Sequence, residues 1–445
     1  MANIGSAFTD LGVALKTVYP TKALEPMINE EAPFREKLSK STPAGARVTE
    51  GDVKFNGVLA LPQNVAQILD EGDLQTARGR NEVQFNLRPS IFQATMNIGW
   101  LTRRAANTGK SAWSGGEVRR RTEETASNLG KFVESTYVGT SGNGVRAYVE
   151  SVIAGSITLR VPEGTKLVRQ GMKVSVRDGA DLTSPRGTSA TTDGVRVKSV
   201  DYLTRKVIFE TEAGVTVTDH TASGAVVADD AILVVSKDGL TTEVSTTFAN
   251  GIRGLVDDGT YNTSIHGVDR TLTGNEKLKS IVSDNGGTLR NLTEQLLIRI
   301  CHQVHEESGK RVTDIWTTPG QVEKYIEFVA PDRRRAVQSG TYDKGTGYKE
   351  GELVHYAPGV ALRINRSFDI IPRELFLLSW DTFFHYVAQE TQWVDEGSLL
   401  HLAIASTGNR QAKWEAFMAC MENIGCDMPV ANAVIRDLKD PQLGD

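Results

Sequence analysis

The chain has 445 residues, 39% hydrophobic and 24% charged, an ordinary globular composition that excludes disorder and, with no run of ~18 apolar residues, a spanning helix. A formal net charge of −5 disfavours tight wrapping of duplex nucleic acid, which takes many cationic phosphate contacts. Cys301, Cys420 and Cys426 are too few and too unevenly placed for a disulfide framework and read as buried thiols.

At ~150 residues per domain, the length suggests two to three domains. The start, Met1 to Gly5, has no basic stretch leading into an apolar one, so no secretory signal is expected and the cytoplasm is the default site of assembly. Residues 1–44 hold two short helical patterns, Leu11 to Lys16 and Ala32 to Leu38, separated by Pro20 and Pro26. So broken a segment cannot bury a core and is expected to be an arm laid on a neighbour. Within residues 45–112, Val48, Val53, Phe55, Val58 and Leu59, then Val83, Phe85, Leu87, Ile91 and Phe92, form two β stretches around a polar span from Gln63 to Asn81. They predict an extended ribbon, marginal on its own in water.

The pattern then changes to a period of 3.6. In the segment 113–144, Val118, Thr122, Ala126, Leu129, Val133 and Tyr137 share one stripe, while Glu117, Arg119, Arg120, Arg121, Glu123 and Glu124 lie on the other face with opposite charges three to four residues apart. This predicts a long amphipathic helix. Residues 145–236 carry β-rich runs, Ser151 to Val161, Leu167 to Val176, Val195 to Ser199, Lys206 to Thr211 and Ala225 to Val235, separated by Gly, Asp and Ser-Pro turns. A small all-β barrel or sandwich is expected. Gly142-Asn143-Gly144 before it and Gly251 to Leu255 after it mark it as an insertion into an α/β host.

Helices alternating with strands make 237–378 a mixed α/β domain. Asn291 with Glu294 is read as the cap of a helix striped by Leu292, Leu296, Ile300 and Val304. Val312 to Thr317 is a strand, and Thr318, Pro319 and Gln321 open a helix with Val322, Tyr325, Ile326 and Val329. Val360 to Ile364 and Leu375 to Leu378 are strands joined through Pro372. In 379–445, Phe383 to Val387 continues as β, and Trp414 to Cys420 is read as a helix closed by Cys426 to Pro429.

No catalytic constellation emerges. Gly109-Lys110-Ser111 ends like a phosphate-binding loop, but Arg104 stands where its first glycine is required. His302 and His305 with Glu306 and Glu307 lack the zinc-protease order and a third ligand, and read as a solvated helix end. Gly139 to Gly142 misses the spacing of a nucleophile elbow. Asp229-Asp230 and Asp257-Asp258 fit turns, and the clusters Arg119 to Arg121 and Arg333 to Arg335, without interleaved aromatics, fit ion pairs better than a nucleic-acid site. No cofactor and no metal is expected. Most of the dispersed tryptophans read as core anchors, with Trp113 as a candidate interface residue.

In four places the order of pieces resembles the major capsid proteins of tailed bacteriophages, with their HK97-like fold. These are Gly142 to Gly144 with Gly254 and Leu255, Ile315 to Phe328, Gly359 to Tyr386, and Lys413 to Ala433. The resemblance implies an α+β architecture of N-arm (1–44), ribbon or E-loop (45–112), spine helix (113–144) and axial α/β domain (237–378), with the small all-β barrel (145–236) inserted and 379–445 supplying peripheral strands and a return to the axial domain. It implies self-assembly of hexamers and pentamers into a closed icosahedral shell within the virion. It also implies portal and scaffolding proteins as partners, an optional decoration protein, non-specific contact with packaged double-stranded DNA, and no membrane. The candidate intersubunit residues are Phe55, Leu59, Arg78, Arg80, Phe85, Trp113, Arg119, Arg120 and Arg121. An encapsulin-like container and a phage tail or surface adhesin are the alternatives.

Overall fold

The computed structural model describes residues 19–38, 40–41, 46–49, 51–60, 81–99, 117–153, 155–180, 182, 184–186, 195–211, 214–218, 220, 225–234, 248–327, 354–357, 360–394, 401–404 and 410–443. The segments Leu11 to Lys16, Gln63 to Arg80, Gly109 to Ser111 and Arg333 to Arg335, named above, lie outside the described residues. The chain divides into two compact units, Met1–Ser41 with Pro89–Tyr137 and His385–Asn423, and Thr42–Arg88 with Val138–Phe384 and Ile424–Asp445.

The first unit is organised on the helix Glu117–Gly139. Its stripe of Thr122, Ala126, Leu129, Val133 and Tyr137 is buried throughout, as the period of 3.6 requires. Onto it packs the strand Ser90–Gly99, where Phe92 and Met96 point in while Ile91, Gln93, Thr95 and Asn97 point out. The Phe92 ring meets Phe132 and Tyr137 edge-on, with centroids 6.1 and 5.9 Å away. Ser90–Gly99 pairs antiparallel with Arg410–Cys426, from Ser90 opposite Glu422 to Gly99 opposite Lys413. Thus Trp414 to Cys420 is strand, not the expected helix. Its Ala, Met and Glu content favours helix, but Ala416, Met418, Cys420 and Glu422 alternate into the core, and ten ladder pairs outweigh local propensity.

The N-terminal segment is also corrected. Residues 19–38 pack on their own chain: Leu24, Ile28, Ala32 and Phe34 are at most 1% exposed. Pro26, read as a break, lies inside the helix Thr21–Glu30. A proline there costs about 3 kcal/mol, while burying Leu24 and Ile28 returns roughly 1.5–3 kcal/mol each, enough to keep the helix. Gly130 permits the approach, because a Cβ there would stand 2.5 Å from the Ile28 carbonyl oxygen.

In the second unit the ribbon appears as Arg47–Thr49, Asp52–Ala60 and Asn81–Leu87, antiparallel, with Phe55 opposite Phe85. Residues 145–234 form a closed barrel in the order Ala231–Val234, Val145–Ile153, Ser156–Leu159, Lys206–Glu210, Val195–Asp201, Lys173–Arg177. Inward Val149, Ile157, Val176, Val197, Val207 and Phe209 fill it. The two ends of this segment lie side by side on the host: the Val234 N–H donates to the Gly144 carbonyl at 3.2 Å, and a Cβ on Gly142 would stand 3.4 Å from the Asn250 Cα. The host is a six-stranded mixed sheet, Ile281–Ser283, Ala433–Ile435, Leu375–Leu378, Asp314–Thr317, Val360–Arg366, Val354–Ala357. Its core is made with Leu297, Ile300 and Val304 of the helix Glu294–Ser308 and Tyr325 of helix 319–327. The first of these helices is capped by Thr293, whose hydroxyl accepts from the Leu296 N–H at 3.3 Å, rather than by Asn291. The second is capped by Thr318 as expected, but the Gln321 side chain donates to the Lys439 carbonyl at 2.7 Å instead of closing a capping box.

Candidate assembly surfaces and the charges behind them

The expected interface residues fall into three groups. Phe55 and Phe85 are 2% and 0% exposed and covered by their own chain. Their rings stand 5.2 Å apart, each 5.4 Å from the His266 ring, with Phe384 a further 4.9 Å from Phe55. This aromatic cluster seats the base of the ribbon, aided by the Asn86 N–H donating to the His266 carbonyl at 3.0 Å. Arg119, Arg120 and Arg121 form the second group. Arg119 pairs with Glu123 at 2.8 Å and Arg120 with Glu124 at 3.5 Å along the exposed helix face, and Arg121 donates to the Asn97 carbonyl at 2.5 Å. Arg78, Arg80 and Trp113 lie outside the described residues, as does the Leu59 side chain, although its backbone belongs to the ribbon strand.

Two buried charge networks went unseen in the sequence. In the first unit, Glu422 takes a fork from Arg35, with contacts of 2.8, 3.1 and 2.8 Å, and accepts the Tyr137 hydroxyl at 3.1 Å. His385 stands 3.5 Å away, long beside the guanidinium contacts. Burial disfavours the carboxylate, but the His385 ring and the Arg35 fork overcome it and pull its pKa down to about 2. Burial pushes the Tyr137 phenol well up, and the Glu422 charge adds to that. The ion pair ties residues 33–37 to the long strand, and it is legible only once residue 422 is known to sit on a strand with its side chain inward.

In the second unit Arg253, 4% exposed, bonds Glu163 at 3.0 Å and Glu374 at 3.0 Å. Burial opposes its charge, yet Glu374 and Glu163 together hold the guanidinium well above its ordinary range. Arg436 bonds Asp257 at 2.8 Å, and the Tyr261 ring lies between the two guanidiniums, 4.2 Å from each. Arg270, fully buried, donates to the carbonyls of Asp257 and Gly254 at 2.6 and 2.7 Å. Gly254 is required here, since a Cβ would lie 1.9 Å from the Ser141 carbonyl oxygen. The network clamps the loop between barrel strands Ser156–Leu159 and Lys173–Arg177 (Glu163) to three segments of the α/β host. Asp257 and Asp258 do show the expected turn chemistry, with Asp257 Oδ2 accepting from the N–H groups of Gly259, Tyr261 and Asn262.

His302 and His305 lie on an exposed helix face, and no group of three metal-ligating side chains occurs among the described residues. Cys420 and Cys426 are buried, and burial pushes both thiols up to about 12, whereas Cys301 is half-buried. No described helix is long and apolar enough to cross a membrane.

No family profile and no curated protein matches the chain. Among solved structures it is similar to the capsid asymmetric unit of cyanophage A-1(L), at 12% identity and a TM-score of 0.48, over 92% of this chain and 93% of that one. It is similar to a chain of the satellite phage P4 procapsid, at 9% identity and 0.37, over 94% and 99%. It is also similar to the encapsulin of Synechococcus elongatus, at 10% identity and 0.39, over 99% and 97%. These three solved structures are by their descriptions a capsid asymmetric unit, a procapsid and an encapsulin complex.

Proposed function

We infer that this chain is a structural shell subunit, the major capsid protein of a tailed bacteriophage, and not an enzyme. The observation that carries the reading is the succession of a paired-strand ribbon, a 23-residue helix, an inserted barrel and a mixed sheet closed by the return strand Ala433–Ile435. A catalytic domain has no use for a ribbon whose strands continue past their seated base. A shell subunit does, because residues laid over sister copies add contacts at several places at once, and weak contacts multiply.

In this reading hexamers and pentamers use the same head-to-tail surfaces and close an icosahedral shell around packaged double-stranded DNA. A portal protein and a separate scaffolding protein take part, and a decoration protein is optional. The modest net charge of −5 suits an inner wall that touches DNA without wrapping it. Residues 60–82, with Leu59, Arg78 and Arg80, bridge adjacent subunits, and Trp113 with Arg119 to Arg121 lies along the same contact.

Negative-stain microscopy of the purified chain tests the whole reading. Closed shells are expected, and a compact monomer that never builds cages under any condition overturns it. Shells filled with protein cargo and free of DNA would instead mark an encapsulin-like container. Deleting residues 60–82 is expected to leave a soluble protein that forms no closed shell; normal particles from that variant would remove the ribbon's bridging role.

A further inference from the structure

The wall of the barrel holds an open cleft. It lies where the ends of strands Ser156–Leu159 and Lys173–Arg177 meet the segment leading into Ala231–Val234, and its volume of about 520 Å³ is within the ~300–1,000 Å³ of small-molecule sites. Two arginine–aspartate pairs face it. The Arg160 guanidinium lies over the Tyr148 ring, 4.6 Å from its centroid, and donates to Asp229 Oδ1 at 2.5 Å. Arg186 donates to Asp178 Oδ2, while Asp178 Oδ1 accepts the Ala180 N–H at 2.9 Å. The backbone behind the pairs is tightly packed: Asp229 is left-handed, φ 70°, and a Cβ on Gly179 would stand 1.9 Å from the Asp229 carbonyl oxygen. The walls are set before anything enters, which lowers the ordering cost of binding.

The buried part of the lining points to a ligand. Asp230 is 2% exposed and commits Oδ2 to the Val227 N–H at 2.8 Å, while Oδ1 has only Arg186 Nε, at 3.7 Å, beyond hydrogen-bond reach. Arg186 Nε is itself buried and, among the described residues, bonds nothing. A buried acceptor and a buried donor are thus left side by side, each at the cost of an unmade hydrogen bond. Burial pushes the Asp230 carboxyl above its ordinary range in spite of the Val227 N–H and Arg186.

The chemistry of the lining selects the class of ligand. A metal ion finds no group of three ligating side chains among the described residues. An anion meets the carboxylates of Asp178, Asp229 and Asp230, a cation meets two guanidiniums, and an apolar molecule would leave all five charges desolvated without gain. A neutral polyhydroxy compound fits, because each hydroxyl both donates and accepts. Neighbouring hydroxyls of a hexose can donate to Asp230 Oδ1 and Asp229 Oδ2 while accepting from Arg186 Nε and Arg160, and its C–H face can rest on Val227, 50% exposed. We propose that this cleft binds a neutral hexose, free or at the end of a glycan chain, with Asp230 and Arg186 as the recognising pair. The site lies within one barrel and needs neither a second copy nor a closed shell, so it stands or falls apart from the shell reading.

The test uses the full chain, as particles or as free subunits, in saturation-transfer NMR with the methyl α-glycosides of glucose, mannose and galactose and with an α-linked trisaccharide of each. At least one methyl glycoside is expected to bind with a Kd of about 1 mM, from the usual affinity per ligand atom. Asp230→Asn keeps an acceptor for the Val227 N–H and removes the charge, and it is expected to weaken binding about tenfold. Ala228→Trp fills the mouth of the cleft from an exposed position and is expected to abolish binding. A circular dichroism melt shows that each variant is folded, and if Asp230→Asn unfolds the barrel, Ala228→Trp decides alone. Comparing each monosaccharide with its trisaccharide separates the two sources: a site for free sugar takes only the former, a site for a chain end takes both. No saturable transfer from any of these sugars up to about 50 mM, or binding that both variants leave unchanged, overturns the proposal.

Discussion

Arg35 and Glu422 show why a buried pair is worth more broken than made. Both side chains are at most 2% exposed, so each depends on the other for the solvation it has lost. Arg35→Met is expected to cost about 3–5 kcal/mol in urea unfolding, whereas Arg35→Met with Glu422→Leu recovers most of the loss. A single variant within ~1 kcal/mol of wild type would mean that the carboxylate is hydrated. His266 governs acid stability. Burial, with Arg270 nearby, lowers its pKa from 6.5 to about 3, and its Nε2 accepts the Cys426 N–H at 3.1 Å. The unfolded chain binds a proton here below pH 6.5 and the folded chain does not, so stability is complete above 6.5 and drains as pH falls toward 3. Glu422 adds a second loss, beginning below 4.5 and complete only as pH passes about 2. His266→Asn, which tolerates the left-handed backbone (φ 49°), is expected to be less stable at neutral pH but to lose less between pH 6.5 and 3. Parallel urea-midpoint curves for the two proteins would show that another group sets the slope.

At the scale of elements, periodicity was readable where one force decided it. The long helix and Leu375–Leu378 lie where their patterns placed them, because a single buried stripe or run fixed each. Trp414 to Cys420 reads as a helix because its local preference is helical, and the partner that makes it strand, Ser90–Gly99, is more than three hundred residues away in sequence. Pro26 was misread for the converse reason, a breaker overruled by burial. The barrel's strands were largely visible from turn spacing, but closure was not, since it depends on Ala231–Val234 pairing with both Val145–Ile153 and Lys173–Arg177. Gly130 gives a test in which propensity and packing disagree. In a free helix Gly→Ala gains about 1 kcal/mol. Here Gly130→Ala is expected to destabilise, because the new Cβ would meet the Ile28 carbonyl at 2.5 Å. A higher melting temperature would show that the helix Thr21–Glu30 yields at little cost.

For the whole molecule, the likeness to capsid subunits was drawn from the order of pieces and not from any single motif, and that is also why site residues were hard to name. On the proposed function the work is spread over surfaces, and a surface leaves no spacing rule comparable to a zinc or phosphate motif. Phe55 and Phe85 read as interface residues because a two-stranded ribbon is marginal on its own in water, yet His266 and Phe384, remote in sequence, cover them. The side-by-side exit of the barrel's two ends has a practical corollary. Any self-folding module with adjacent termini can be spliced between Gly144 and Asn250 in place of the native one without stretching the host, which makes this junction a natural graft point for displaying a foreign domain.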